Sequence, residues 1–320
     1  MNKKHRLVFW GLIAFSVMLI FASALNTQKY HTKTILGALD TVSEITVLSK
    51  SDEPIRKIEN YVKKMDAELS AYNEQSLLYK YNNGEDVEFS EDAKDLIKKG
   101  DEFSNAHSDY FSIYLEPLIK GWDIKNNEGT IPDVSALLEQ SKKKETLDLG
   151  GIAKGYITDK IAEMLKADGV TSAMINLGGN AYAIGKKSTV EAWRIGFADQ
   201  KNPEEIIGVI SCENLAVITS GDYQRYFEMN GKRYAHILDA KTGYPADSGL
   251  RSVTIIAESA TTADFLSTAI FVSGLEEGRK LLDEYNALGI LITDDTIYFS
   301  KGLEDIFKQV NLSYKYEFIQ

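Results

Sequence analysis

The stretch Glu258–Gly274, ESATTADFLSTAIFVSG, limits the fold most. It reads as a helix, and almost every residue after its start is apolar. Helices that are apolar all round are buried on every side, so the remaining chain has to supply the layers that cover this one. Thr261 or Thr262 can cap it, because a hydroxyl there accepts from free backbone N–H groups. Inside it, Asp264, Ser267 and Thr268 stand three and four residues apart and share one stripe. Their neighbours Phe265, Leu266, Ala269, Ile270, Phe271 and Val272 leave no polar side, and a bare carboxylate there is costly. Two readings stand at this point. Asp264 can satisfy a nearby backbone while the hydroxyls bond back to their own helix. Alternatively, the three oxygens hold a hard cation, Mg²⁺ or Ca²⁺, and Mg²⁺ usually comes with a phosphate.

The chain of 320 residues has room for one large domain or two small ones, and its 44% apolar content suits a folded core. A net charge of −11 argues against nucleic acid as a partner. Cys212 is the single cysteine, so no internal disulfide can form, and a lone thiol in VISCENLAVI reads as a small core residue. The opening MNKKHR precedes an uncharged run, Leu7–Leu25, about long enough to cross a bilayer. Lys3, Lys4 and Arg6 would stay in the cytoplasm and leave the body outside. Ala22-Ser23-Ala24 also fits a secretory cleavage site. Residues 1–30 are therefore expected to be a membrane anchor or signal peptide with a short polar tether, NTQKYHTKT, and residues 31–320 a single domain on the extracytoplasmic side of the cell membrane.

Along the body, ALDTVSEITVLS reads as a strand with Val42, Ile45 and Val47 as its apolar members. Residues 53–70 repeat Ile55, Ile58, Val62, Met65 and Leu69 at helical spacing. AYNEQSLLYKYNNGED reads as a loop. A helix over 90–106 opens at Ser90 as N-cap, with Glu91 and Asp92 in its first turn. The middle of IPDVSALLEQSKKKE is helical. A strand TLDL, a glycine pair and a helix from about Ile152 to Lys166 follow. SAMINLGGNAYAIG reads as two strands around Gly178-Gly179, and AWRIGFAD, IIGVISC and LAVITSGD as three more. Asn230-Gly231 marks a hairpin. LRSVTIIAES is a strand leading into the apolar helix, LEEGRKLLDEY a further helix, and GILITDDTIYFS a closing hairpin about Asp294-Asp295. Hairpins mixed with scattered helices point to an α+β fold and away from a doubly wound parallel sheet.

Several segments carry candidate chemistry. In TLDLGGIAKGYITD a strand runs into Gly150-Gly151 and then a helix. The glycines admit close backbone approach, and a helix N-terminus followed by Lys154 suits phosphate. Asp148, just before the glycines, would repel a bare phosphate and suits a hydrogen-bond donor or a nearby cation. A plain strand-to-helix turn with a surface lysine is the simpler alternative, since the Walker spacing is absent. INLGGN supplies a second glycine pair, for which a tight turn is the commoner case. His236, in the apolar strand of RYAHILD, is either a satisfied core residue or a base that titrates near neutrality. No G-x-S-x-G, HExxH or CxxC occurs, which disfavours serine, zinc and thiol hydrolases.

Taken together, LDLGGIAKGYITD, INLGGN, VITSGDYQRYFEMNGKRYAHILDAKTGYP and TTADFLSTAIFVSG resemble, in this order, the ApbE-type FAD:protein FMN transferases, over roughly residues 36–315. The resemblance implies an α+β fold: one catalytic domain of mixed and antiparallel sheets with flanking helices, behind the N-terminal transmembrane or signal segment. It implies that FAD binds as substrate with Mg²⁺, that its pyrophosphate is split with release of AMP, and that FMN is joined by a phosphoester to a Thr or Ser of an exported or membrane electron-transfer protein. Asp264 and Thr268, with Ser267 beside them and the backbone carbonyl of Gly151, match the family's metal ligands. Leu39, Tyr72, Tyr110-Phe111-Ser112, Asp148, Lys154 and Leu238 match its flavin-nucleotide contacts. His236 is the candidate base for the acceptor hydroxyl, and with Asp264 and Lys154 it completes the candidate catalytic set.

The chain also departs from the family pattern. Ser112 stands where the family often has Asp, and the interval from Trp122 to Asp148 is short. A D-G-x-S-G-A-T-like stretch is absent, so the chain resembles the modifier and not the modified protein. Two rival readings use the same residues. One is a Mg²⁺-dependent FAD pyrophosphatase with water in place of the hydroxyl. The other is a surface FAD-binding protein that breaks no bond.

Overall fold

Alternating apolar residues build a nine-stranded sheet, and the apolar helix lies across it. The computed structural model describes residues 28–319 other than 200, 203, 224, 312 and 313. The run Leu7–Leu25 lies outside the described residues, and among those described no helix is long and apolar enough to cross a membrane.

Strands β1 (Lys29–Leu36) and β2 (Val42–Ser49) form an antiparallel hairpin, with Lys29 opposite Ser49 and Leu36 opposite Val42. Six helices follow: α1 (Glu53–Leu69), α2 (Leu77–Asn82), α3 (Glu91–Ala106), α4 (Glu116–Trp122), α5 (Val134–Ser141) and α6 (Ala153–Ala167). Next come β3 (Ala173–Leu177), β4 (Asn180–Ile184), β5 (Trp193–Ala198), β6 (Ile206–Cys212), β7 (Ala216–Gly221), β8 (Tyr226–Met229), β9 (Lys232–Ala235) and β10 (Ser252–Ala257). Helices α7 (Ala260–Ser273) and α8 (Leu275–Glu284) precede β11 (Leu288–Ile292), β12 (Thr296–Ser300), β13 (Phe307–Gln309) and β14 (Lys315–Ile319).

The large sheet runs β1-β2-β3-β4-β7-β10-β11-β12-β14, and among its described pairings only β12 with β14 is parallel. Strands β13-β6-β5 make a small second sheet, and β8-β9 a separate hairpin. The α+β expectation holds, with mixed sheets and flanking helices. Asn230 and Gly231 turn the β8-β9 hairpin with φ of 52° and 75°, the left-handed pair that a two-residue loop needs.

Helix α7 is the centre of the core. Ten of its fourteen residues are buried, so it is covered on nearly every side. Strands β7 and β10 pack on one side of it and α6 and α8 on others. Helix α1 buries the five residues that its period marked, Ile55, Ile58, Val62, Met65 and Leu69. Helix α3 is capped by Ser90, whose Oγ accepts from Ala93 N at 3.4 Å.

Three stretches differ from the sequence reading. NTQKYHTKT, expected as a tether, supplies most of β1, which begins ahead of the expected boundary at residue 31. Ile35 is its one buried residue; an edge strand open to solvent on both faces carries no apolar alternation to read. The expected loop after α1 contains α2, capped by Ser76, whose Oγ accepts from Tyr79 N at 3.1 Å. Six residues with only Leu78 buried are too few to show a period. TLDL is not a strand. The Asn82 side chain stands in for a partner: Nδ2 donates to Leu147 O and Oδ1 accepts from Leu147 N, both at 2.8 Å.

Candidate active site

The geometry starts at the N-terminus of α7. The cap is Ser259, not Thr261 or Thr262: its Oγ accepts from Thr262 N at 3.2 Å. Asp159, on α6, takes the other donors. Its Oδ1 accepts from Ala260 N at 2.7 Å. Its Oδ2 accepts from Thr261 N at 2.8 Å, Thr261 Oγ1 at 2.7 Å and Ser259 Oγ at 2.9 Å. One carboxylate thus ties α6 to α7. Asp159→Ala removes a cap and several charge-assisted bonds together, so a loss of roughly 2–4 kcal/mol is expected. A urea titration reads it as a lower midpoint with unchanged slope. A loss under about 0.5 kcal/mol, within the range of ordinary surface changes, would rule this role out.

Asp264 sits one turn into α7 and is 3% exposed. Its Oδ2 accepts from Gly155 N at 2.8 Å, and among the described residues no Lys or Arg pairs with it. So it does satisfy a backbone donor, as the simpler reading of the helix expects. Its charge is nevertheless left without a cation, which is costly at that depth. Thr268, one turn on, faces the glycine turn: its Oγ1 lies 3.5 Å from where a Cβ on Gly151 would stand. The structure therefore brings Asp264 and Thr268 to the Gly150–Lys154 turn. It does not bring Ser267 there. The Ser267 hydroxyl donates back to Asp264 O at 2.9 Å and lies 2.8 Å from Ser220 Oγ on β7. That is the back-bonding habit of a helical serine, and it takes Ser267 out of the expected cation set.

These residues open onto a cleft of about 570 Å³. Leu39, Tyr72, Tyr110, Phe111, Ser112, Asp148, Gly151, Lys154, His236, Leu238, Asp264 and Thr268 all line it; Ser267 does not. Asp148 Oδ1 accepts from Gly150 N at 2.9 Å, and burial lifts its carboxyl above the usual range. Lys154 Nζ donates to Gly150 O at 3.3 Å, so its charge stays at the turn. The cleft wall carries five carboxylates, Asp40, Asp66, Asp123, Asp148 and Asp264, against three cationic side chains, Lys125, Lys154 and Arg225. With every carboxylate ionised, the wall is left two negative charges in excess.

His236 is half-buried at the exit of β9. Its Nδ1 lies 3.3 Å from the Arg225 carbonyl oxygen. A carbonyl can only accept, so Nδ1 carries the proton and Nε2 is the basic nitrogen. Burial, and then the nearby Arg225 charge, push its pKa down to about 4. The imidazole is therefore neutral at physiological pH, and it titrates well below the near-neutral range that the sequence suggested.

Among the described residues, no group of three or more His, Cys, Asp or Glu is placed to hold a metal ion. The donors that do meet are one carboxylate, one hydroxyl and the peptide group of Gly151. That set is all oxygen and suits a hard cation that completes its shell from a ligand's phosphates. The buried Asp264 carboxylate, which has a backbone donor but no cationic partner among the described residues, and the carboxylate-rich wall fit such an ion.

Sequence reasoning missed three residues that shape this site, Asp66, Arg225 and Gly155. Leu39 and Asp40 both have left-handed φ, 55° and 57°, which is strained for side-chain-bearing residues. Asp66 holds the first, accepting from Leu39 N at 2.8 Å, and Arg225 holds the second, donating from Nη2 to Asp40 O at 3.1 Å. Gly155 gave a visible signal: a glycine inside a helix often marks a close approach. A Cβ there would stand 2.3 Å from Ala260 O and 2.6 Å from Asp264 Cβ.

Residues 39–292 match the model of the ApbE family. The chain is 34% identical over 235 residues to an FAD:protein FMN transferase of Klebsiella pneumoniae (strain 342), covering 66% of this chain and 70% of that one. It is 27% identical over 335 residues to one from Haemophilus influenzae, covering 91% and 95%. A crystal structure of the ApbE protein from Thermotoga maritima matches the fold with a TM-score of 0.77 at 32% identity, over 87% of this chain and 99% of that one.

Proposed function

This chain belongs to the ApbE family, and on that premise we propose that it is an FAD:protein FMN transferase whose reaction depends on Mg²⁺. The acceptor is the hydroxyl of a Thr or Ser on an exported or membrane electron-transfer protein, and the N-terminal segment keeps the enzyme on the same side. The observation that carries the reading is the meeting of α7 with the glycine turn: a buried carboxylate with no cationic partner among the described residues and a hydroxyl beside Gly151, in a cleft whose wall carries five carboxylates and three cationic side chains.

The bond changes balance simply. The acceptor oxygen forms a bond to the phosphorus on the FMN side of FAD, the bridging P–O bond breaks, AMP leaves, and the hydroxyl proton passes to a base. Lys154 and the N-terminus of α6 hold the pyrophosphate. His236 Nε2 takes the proton, and the Nδ1–H contact to Arg225 O fixes its tautomer. Asp264, Thr268 and the Gly151 carbonyl would hold Mg²⁺. When bound, that ion supplies charge neutralisation at the phosphates. The remaining residues position and desolvate, since phosphoryl transfer is mostly a matter of holding groups in line.

The test is mass spectrometry of a peptide bearing a Thr acceptor, incubated with the protein, FAD and Mg²⁺. Expected is a peptide heavier by one FMN unit, stoichiometric AMP, and no product once the metal is chelated. Free FMN and AMP with an unmodified peptide would show hydrolysis instead. Intact FAD would show a binding protein.

A further inference from the structure

Asn180 opens β4, opposite Leu177 on β3 and Ile218 on β7. Partners across an antiparallel pair share a face, and residues two apart share it too. Asn180 is therefore on the face that carries Ser220, whose hydroxyl meets Ser267 of α7. The residue is 1% exposed and lines the cleft. Its Nδ2 has no hydrogen-bond partner. Of the buried side-chain polar atoms left unpartnered among the described residues, it alone belongs to a residue of the cleft wall.

A structural asparagine in such a hairpin behaves differently. Asn176, four residues earlier, uses Oδ1 to accept from Gly179 N at 2.9 Å and so holds the turn. Asn214 does the same for Gly185 N at 3.0 Å. A buried amide donor with no acceptor is a burden on the ligand-free fold. Its position in the cleft wall offers the compensation, which is an acceptor brought by the ligand.

We infer that Asn180 is a ligand-binding residue whose side-chain N–H donates to an oxygen acceptor of bound FAD. This rests on the reading of FAD as substrate. Two kinds of oxygen on FAD offer the same chemistry, a flavin ring carbonyl and a phosphoryl oxygen, and neither carries a proton that would clash with the amide.

The experiment is calorimetric titration of the full chain with FAD, riboflavin and ADP, for wild type, Asn180→Leu and Asn180→Asp, together with melting curves of the ligand-free proteins. Asn180→Leu keeps the approximate shape and removes the donor; it is expected to weaken FAD binding about tenfold, the usual size of one buried hydrogen bond. Its ligand-free melting temperature is expected to equal or exceed that of wild type, because an orphaned donor has been removed. Asn180→Asp sets a carboxylate oxygen against the acceptor and is expected to weaken FAD more than Asn180→Leu. A tenfold loss for riboflavin places the acceptor on the flavin half of FAD, and a tenfold loss for ADP places it on the nucleotide half. Unchanged FAD affinity in Asn180→Leu overturns the assignment, most plainly if its melting temperature falls. A wild-type chain that binds no FAD overturns the functional reading along with it.

Discussion

Asp264→Asn is expected to lower FMN transfer by about 10³-fold or more while FAD affinity changes only a few-fold. The substitution keeps the shape of the side chain, and its amide oxygen still accepts from Gly155 N. It removes the charge. A cation held at a phosphoryl centre is worth several kcal/mol of transition-state stabilisation, and about 4 kcal/mol corresponds to that factor. The fold is expected to tolerate the change, because a 3% exposed carboxylate with no cationic partner costs stability in the ligand-free protein. Melting temperatures therefore stay level or rise. The decisive readout is turnover at saturating FAD and Mg²⁺; a variant within tenfold of wild type would remove Asp264 from the chemistry.

Gly155→Ala is expected to damage both fold and activity. The new methyl would stand 2.3 Å from the Ala260 carbonyl oxygen, 2.8 Å from the Ala260 carbonyl carbon and 2.6 Å from Asp264 Cβ. Two of these are backbone atoms, so no side-chain rotation relieves the clash. Helix α7 has to move off α6, and Asp264 and the Asp159 network move with it. Overpacking of this kind costs roughly 3 kcal/mol, which lowers the melting temperature by about 6–12 °C for a domain of this size. Transfer falls further than stability explains, because the Gly155 N–H that orients Asp264 is displaced. A melting point within about 2 °C of wild type would mean that the two helices are not locked together here.

What the sequence made legible follows from local rules. Helix α7 announced itself because an apolar run has one stable place, the core. Helix α1 showed a clean period, and Asn230-Gly231 named its own turn. The glycine turn and the carboxylate helix could each be seen, but their meeting could not: the Asp264–Gly155 contact spans 109 positions. The stripe rule put Ser267 with Asp264 and Thr268, and the fold split them, because residues at i+3 and i+4 diverge once one of them has β7 to bind. Asp159 was invisible as a cap because its donors lie a hundred residues away. Edge strand β1 was missed for lack of a buried face, and the Asn82 mimic because a side chain replaced a strand. Asn180 was read only as part of a glycine turn; nothing in INLGGN says that its amide lacks a partner.

In the proposed site, Asp264 and Thr268 hold a divalent ion against the pyrophosphate of FAD at the Gly151 turn. Mn²⁺, a spectroscopic substitute for Mg²⁺, tests it most directly by electron paramagnetic resonance on the wild-type chain and the Asp264→Asn variant, each with and without FAD. Expected is one Mn²⁺ bound per wild-type chain in the presence of FAD and loss of that binding in the variant. Equal Mn²⁺ binding by the two proteins, or none by wild type with FAD, would contradict it.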